Sequence, residues 1–248
     1  MVGGAPAVLS PRRALVLGAL LTALVVYNAG AGSLPRLSEF WDVALVAAVL
    51  MPATAAVLWL VLPAARARGT LPVAAALAVL GVVLDIAGAG ALFNVAKVLT
   101  FALLGLVFLE LFQELSWIVL VAAVIPWVDA VSVWRGPTKV VVTQHPGLFD
   151  RISVEFRIPG QTGSANLGPP DVLFFALFLA TAHRFGLRVG WTWIATVGLL
   201  GLTLALTAVF DLSGLPALPA VSLGFLLPNA DLLWHRWRAA RLSGARSG

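Results

Sequence analysis

The sequence predicts an all-α polytopic membrane protein, a transmembrane helical bundle, from its composition, its apolar runs and the placement of its charges. Of the 248 residues, 60% are hydrophobic and only 11% are charged, and the mean hydropathy is +1.00. A water-soluble globule would lack the polar residues to cover its surface, and a disordered chain would need more charge. Because the chain has no cysteine, disulfides, thiol nucleophiles and thiolate metal sites are excluded.

The apolar runs predict about eight membrane spans, with nine as the upper count. A helix that crosses about 30 Å of hydrocarbon needs roughly 20 apolar residues. Cutting the chain at charges and turn residues leaves stretches 14–32, 41–63, 71–89, 91–112, 115–134, 166–182, 189–210 and 215–233. The least certain cut lies near Gly88, Gly90 and Asn94. We treat residues 1–248 as a single domain, with N-terminal helices in 1–113 and a second half in 114–233.

Lysine and arginine predict the orientation, because cytoplasmic loops carry an excess of them. One side of the membrane would carry ten: Arg12, Arg13, Arg66, Arg68, Arg184, Arg188, Arg236, Arg238, Arg241 and Arg246. The other side would carry six: Arg36, Lys97, Arg135, Lys139, Arg151 and Arg157. Both termini are therefore predicted to be cytoplasmic, in the plasma membrane of a prokaryote, with the loop 135–165 outside. The basic residues flank the spans and indicate lipid contact, not nucleic acid.

The N-terminal stretch has a second interpretation, as a secretory signal peptide. Arg12 and Arg13 precede a short apolar run, and this run ends in the small residues Ala29-Gly30-Ala31. A basic region, an apolar region and small residues at the end are the three parts of such a signal. Cleavage there would leave the orientation of the later spans unchanged.

The composition of the loop 135–165 predicts a small β-hairpin at the membrane surface. Val140-Val141-Val142-Thr143 and residues 152–158 are rich in β-branched residues, and His145-Pro146-Gly147 between them is a turn signal. One interpretation is an ordered external loop. The other is a sheet edge that accepts an extended peptide as an additional strand.

Two acids lie inside apolar spans, where an ionised carboxylate costs about 2.5 to 3.5 kcal/mol on insertion scales. Asp129 is surrounded by apolar residues in the span that enters the long loop, and Asp171 follows Gly168-Pro169-Pro170 in the span that leaves it. Consecutive spans are antiparallel, so both acids are expected a few residues inside the same membrane face. Seven other acids lie at or near span ends: Glu39, Asp42, Asp85, Glu110, Glu114, Asp211 and Asp231.

Two carboxyls that meet at this depth share a proton, because both cannot ionise cheaply. In such a pair the ionised member removes a proton from water, and the protonated member polarises a peptide carbonyl. This spacing alone also fits proton-coupled transport and structural hydrogen bonding. The spacing of Asp129 and Asp171 therefore does not by itself decide which of these roles they have.

A third motif opens the last span. In Leu215-Pro216-Ala217-Leu218-Pro219 two prolines three residues apart remove two backbone donors, so ordinary helix is not expected before about Pro219. Irregular backbone at membrane depth occurs only where protein or a water-filled cavity surrounds it. The motif indicates either a helix-entry turn or a pocket.

The three motifs together resemble the presenilin and signal-peptide-peptidase family of intramembrane aspartyl proteases. Members of that family carry a Tyr-Asp span, a later Gly-x-Gly-Asp span and a Pro-Ala-Leu motif at the head of the last span. The matching residues are Asp129, then Gly168 to Asp171, then Pro216-Ala217-Leu218. The resemblance covers about 115 residues, from near 120 to 233, and the first 110 match only in being apolar.

Three departures accompany the resemblance. Val128 stands where the family has tyrosine, Pro170 stands where it has glycine, and the span count is one short of the family's nine. Proline fixes φ and removes an N–H, whereas glycine allows unusual dihedrals. Pro170 is the main argument for an inactive homologue that binds membrane helices as a scaffold.

The resemblance implies a protease that hydrolyses peptide bonds within transmembrane helices or signal peptides. Asp129 and Asp171 would be the catalytic pair, and Gly168, Pro169, Pro170, Pro216, Ala217 and Leu218 would shape the substrate cleft. It implies neither a metal nor an organic cofactor, and the expected partners are membrane-helix substrates and lipid. The predicted orientation resembles that of signal peptide peptidases, for substrates with a cytoplasmic N-terminus. The rival is a proton-coupled transporter, for which inverted repeats are expected.

Overall fold

The chain folds into a helical bundle with one small sheet. A computed structural model describes residues 9–67, 69–135, 146–212 and 214–244. The helices are α1 Pro11–Gly30, α2 Glu39–Leu45, α3 Met51–Val61, α4 Thr70–Ile86, α5 Gly90–Phe108, α6 Leu115–Arg135, α7 Pro146–Ile152, α8 Pro169–Arg184, α9 Val189–Val209 and α10 Leu218–Gly244. The strands are β1 Val154–Arg157 and β2 Ser164–Leu167. A π-helical turn, Val46–Leu50, joins α2 to α3 in one rod.

Each of the eight apolar stretches is occupied by a helix or, for 41–63, by the α2–α3 rod. Among the described residues, five helical segments are long and apolar enough to cross a membrane: Pro11–Ser33, Glu39–Ala65, Gly90–Leu111, Leu115–Arg135 and Val189–Val209. Helix α4 has 17 residues and α8 has 16, so each is only about 25 Å long at 1.5 Å per residue. The five long apolar segments are compatible with an integral membrane protein.

Helix α8 lies at the centre of the bundle. Val172 and all residues from Phe175 to Ala182 are buried, because α8 packs against α5, α9 and α10. The rings of Phe178 in α8 and Phe225 in α10 stack with their centroids 4.9 Å apart. This central position explains how a helix of 16 residues is accommodated: protein, not lipid, surrounds most of it.

Glycines set the closest helix contacts. A Cβ on Gly105 of α5 would lie 2.4 Å from the Leu173 carbonyl oxygen of α8. A Cβ on Gly224 of α10 would lie 2.2 Å from Thr196 Oγ1 and 2.6 Å from Thr196 Cα in α9. Small residues let backbones approach in this way where no hydrophobic effect drives helices together in lipid. The two glycines therefore fix α8 and α10 to their neighbours.

Helices α4 and α6 lie at the periphery and expose apolar side chains. In α6 Trp127 is 74% exposed, and in α4 Ile86 is 78% exposed. In water such faces would be aggregation surfaces, whereas in a bilayer they contact lipid tails. The exposure of these two helices agrees with the membrane assignment.

The hairpin forms in the predicted loop, but between different strands. Strand β1 pairs antiparallel with β2, in the register Val154 to Leu167 and Arg157 to Ser164. The prediction that Pro146 and Gly147 form the turn is wrong, because both lie in helix α7, where proline is tolerated in the first turn. Residues 139–143 and His145 lie outside the described residues. The pairing strand was missed because Ser-Ala-Asn-Leu has no β-branched residue.

Candidate active site

Asp129 of α6 contacts the motif that opens α10. The half-buried Asp129 carboxylate accepts a hydrogen bond from the Leu218 N–H to Oδ2, with an N–O distance of 3.0 Å, and the Ala217 N–H also interacts with it. Leu218 is the first residue of α10, and the first N–H groups of a helix have no partner within the helix. Because Ala217 has no polar side chain to cap α10, Asp129 supplies the cap from another helix.

Asp171 caps its own helix. It is the third residue of α8, and its Oδ2 accepts a hydrogen bond of 2.9 Å from the Gly168 N–H. This is one half of a capping box, in which an acid at the third helical position bonds back to the residue before the helix. The other half needs a side chain at that residue, which Gly168 lacks.

Pro169 and Pro170 fit the start of α8 without strain. They occupy its first two positions, where a backbone N–H would find no helical partner, so their missing donors cost no hydrogen bond. The concern that Pro170 distorts the backbone before Asp171 therefore has no support in the geometry. Pro170 is also exposed.

The absence of a side chain at Gly168 leaves space for the Asp171 carboxylate, and the backbone of Gly168 has no unusual conformation. Its φ of −63° and ψ of 153° are extended values that any residue adopts. A Cβ at Gly168 would, however, lie 3.0 Å from Asp171 Oδ2. A side chain here would press on the carboxylate that the Gly168 N–H binds.

The two carboxyls lie at the N-terminal ends of two different helices. Asp129 acts electrostatically on Asp171, although α6 packs mainly on α10 and less on α8. Asp129 lies at the N-terminus of α10 and Asp171 at that of α8, and a helix N-terminus carries about half a positive charge. Each acid therefore has backbone N–H groups and the positive end of a helix dipole beside it.

The chain before α10 is irregular, as the two prolines predicted. Residues Gly214 to Pro216 have no regular structure, Ala217 lies in a bend, and the helix begins at Leu218. Ala217 accepts through its carbonyl from the N–H groups of Ala220 and Val221, at 3.0 and 3.2 Å. The predicted start near Pro219 is correct to within one residue, and Pro216 and Ala217 are half-buried beside Asp129.

The outer edge of β1 is covered by side chains from α1 and α5. Tyr27 donates to the Arg157 carbonyl at 2.8 Å, and Lys97 donates to the Ser153 carbonyl. Asn94 makes two bonds to Glu155: it donates to the carbonyl at 2.7 Å and accepts from the N–H at 2.9 Å. We call Tyr27, Asn94 and Lys97 the edge clamp.

The edge clamp contradicts the expectation that a peptide adds to the 152–158 edge. Backbone groups alternate in direction along a strand, so Ser153, Glu155 and Arg157 face the clamp while Val154 and Phe156 face β2. Within the described part of the chain, the side of the hairpin without a bonded neighbour is β2. By the same alternation, Asn166 directs its N–H and C=O away from β1, and no group in the described part of the chain bonds to them.

The edge clamp was not predicted from the sequence, because only acids were weighed as costly groups inside the spans and Lys97 was counted as a flanking charge. Asn94 and Lys97 are 5% and 6% exposed and lie within α5, so Asn94 is not a break between spans. A buried lysine in an apolar helix is as costly as a buried acid, and the spacing Asn94-x-x-Lys97 puts both on one helix face. Asp42, assigned to a span end, is also buried at 6% exposure and accepts from Gln161 at 2.9 Å.

No known family model matches the sequence, and no curated protein is significantly similar to it.

Proposed function

We propose that the protein is an intramembrane aspartyl protease that cuts transmembrane helices or signal peptides, with Asp129 and Asp171 as its catalytic pair. The main support is the bond between Asp129 and Leu218. It joins one acid to the Pro-Ala-Leu segment, while the second acid interacts electrostatically with the first. Three motifs that are spread over about 90 residues of the chain thus come together at one end of the bundle.

The proposed chemistry is general acid–base hydrolysis. The pair holds one proton: the ionised carboxylate takes a proton from water as the water oxygen attacks the peptide carbon, and the protonated carboxyl hydrogen-bonds the peptide oxygen. The tetrahedral intermediate collapses when the carboxyl that took the proton from water passes it to the amide nitrogen and the carbon–nitrogen bond breaks. The amine then leaves, and the pair again holds one proton. The backbone donors at Gly168 and Leu218 hold one oxygen of each acid, which leaves the other oxygen for the reaction.

A substrate helix has to unwind before it is cut, because each of its carbonyls already accepts an internal hydrogen bond. We propose that the unwound segment pairs with the outer edge of β2, where Asn166 presents an N–H and a C=O. Main-chain bonds along a sheet edge are a common means of holding extended peptides. The irregular segment Gly214 to Ala217 would hold the other side of the peptide.

We propose further that the hairpin end of the bundle faces outside and both termini face the cytoplasm. Arg36 contacts Gly160 of the hairpin turn, and Arg151 pairs with Asp85 of α4. Arg184 and Arg236 bind backbone carbonyls at the opposite end. Arg36 and Arg151 therefore lie at one end of the bundle and Arg184 and Arg236 at the other, as in the charge count. Because cytoplasmic loops carry more lysine and arginine, this grouping supports the proposed orientation.

The test is cleavage of a labelled peptide of about 20 apolar residues by the purified protein in liposomes. We expect the wild type to release two fragments and Asp171→Asn to lower the rate by about 10²- to 10⁴-fold, the usual contribution of a general acid or base. Asp211→Asn is the matched control, because Asp211 is exposed and asparagine tolerates its φ of 48°. Fragment masses and a pH-sensitive dye inside the liposomes are read together.

Each other outcome contradicts the proposal. Asp171-dependent proton flux without fragments would identify a proton-coupled transporter. Peptide binding without fragments or flux would identify a scaffold. Equal cleavage by wild type and Asp171→Asn would remove Asp171 from the mechanism.

Gly168→Ala tests the space beside Asp171. The backbone dihedrals of Gly168 are allowed for alanine. The new Cβ at 3.0 Å from Asp171 Oδ2, however, forces the carboxylate to shift by a few tenths of an ångström. We expect kcat to fall about tenfold, since a misplacement of 1 Å in a catalytic group costs about 10²-fold. The thermal unfolding midpoint should stay within about 2 °C of wild type, and a large drop in that midpoint would show instead that Gly168 is needed for folding.

A further inference from the structure

We infer that Tyr27, Asn94 and Lys97, the edge clamp, are positioning residues that fix the register of the substrate strand and so determine which peptide bond is cut. This inference rests on the proposed protease function and assigns a role to the N-terminal helices. These helices match the resembled family only in being apolar.

The edge clamp takes the place of a third strand. The two bonds between Asn94 and Glu155 reproduce the donor and acceptor that a neighbouring strand would present. Lys97, one helical turn further along α5, binds the Ser153 carbonyl and the Arg151 carbonyl, the latter at 3.2 Å. Its Nζ also lies 3.6 Å from Glu155 Oε1.

Tyr27 extends the edge clamp from a second helix. Its hydroxyl comes from α1, which packs against α5, and it holds Arg157 at the far end of β1. A slip of β1 by one residue would break all these bonds at once. It would also turn Val154 and Phe156, which are 1% and 4% exposed, to the wrong face of the hairpin.

The hairpin turn is fixed to the same half of the chain. The Gly160 N–H donates to the Ala31 carbonyl at 2.9 Å, and Arg36 Nε donates to the Gly160 carbonyl at 3.0 Å. Gly160 has a φ of +63°, and a Cβ there would lie 2.6 Å from the Leu34 carbonyl oxygen. Residues from α1, α5 and the chain after α1 therefore hold the hairpin at both of its ends.

The hairpin position sets the distance from the substrate to the acids. Asn166 precedes Asp171 by five positions, which spans at most about 17 Å of extended chain. A peptide residue that pairs with Asn166 is therefore linked to Asp171 through this short segment. If the hairpin shifts, a different peptide bond meets Asp129 and Asp171.

The test compares the cut site in one defined transmembrane peptide by product mass. Wild type is expected to cut mainly at one bond. Tyr27→Phe and Asn94→Ala are expected to spread cleavage over neighbouring bonds, with at least a twofold loss in the share of the main product. Thr100→Val is the matched control: Thr100 lies in α5 one turn beyond Lys97, and its buried hydroxyl has no hydrogen-bond partner in the described residues.

A merely structural role would lower the amount of active protein and leave the cut site unchanged. An unchanged cut site in both variants therefore overturns the inference, whatever the rate. Tyr27→Phe removes one hydroxyl from a half-buried side chain, so it serves as the test if Asn94→Ala does not fold. Absence of cleavage by the wild type would overturn the proposed function, and this inference with it.

Discussion

Asp129→Asn is expected to abolish cleavage while it preserves the fold. Asp129→Ala is expected to abolish cleavage and also to lower the stability of the fold. The asparagine carbonyl oxygen can still accept the Leu218 N–H, which lies 3.0 Å from Asp129 Oδ2, so α10 keeps its cap. Asparagine cannot exchange a proton with water, so the rate should fall by about 10²- to 10⁴-fold. Alanine removes the acceptor as well, and loss of a helix cap costs about 0.5 to 2 kcal/mol.

The measurement combines the peptide-cleavage rate with thermal unfolding in detergent. We expect an unchanged unfolding midpoint for Asp129→Asn and a lower midpoint for Asp129→Ala. Cleavage by Asp129→Asn near the wild-type rate would refute the catalytic role. Equal midpoints for the two variants would refute the capping role and leave the catalytic role intact, so the experiment separates the two.

Gly224→Ala is expected to destabilise the protein by about 2 to 3 kcal/mol or more, the cost of overpacking a tight contact. The added Cβ would lie 2.2 Å from Thr196 Oγ1, 2.6 Å from its Cα and 2.7 Å from its N. Rotation of the threonine can relieve only the first of these overlaps, because the other two atoms belong to the backbone. Helices α9 and α10 therefore have to move apart.

The same separation should reduce activity. Gly224 lies six residues after Leu218 in α10, so moving α10 displaces the Leu218 N–H from Asp129. Gly198→Ala is the matched control, because Gly198 lies in α9 and its Cβ would meet no atom within 4 Å; alanine there favours the helix. The measurement is thermal unfolding of both variants in detergent. Similar unfolding midpoints would show that the contact between α9 and α10 accommodates the added methyl group without loss of stability.

Most of the secondary structure and the identity of the two acids could be predicted from the sequence. Long apolar runs force helices in a bilayer, since only internal hydrogen bonds satisfy the backbone there. The high cost of a buried carboxylate singles out Asp129 and Asp171. Two prolines at 216 and 219 set the start of α10, because a missing N–H is tolerated only in the first turn of a helix.

The hairpin pairing was less predictable. Strand β2, with Ser164, Ala165 and Asn166, carries a weak local signal. Val154 and Phe156 are buried, and α5 contacts β1 at the edge of the sheet, which the Asn94 amide completes. A side chain 61 residues away along the chain takes the place of a neighbouring strand, and no local pattern encodes that contact.

The sequence by itself determined that this is a bundle of apolar helices with two acids on consecutive spans and a proline-rich entry to the last helix. These are local properties, governed by the cost of placing charges and unpaired backbone groups in hydrocarbon. Only the tertiary structure decided that Asp129 caps α10 and that the edge clamp occupies β1. Such contacts depend on how close two backbones come, and this distance is set at glycines such as Gly105 and Gly224.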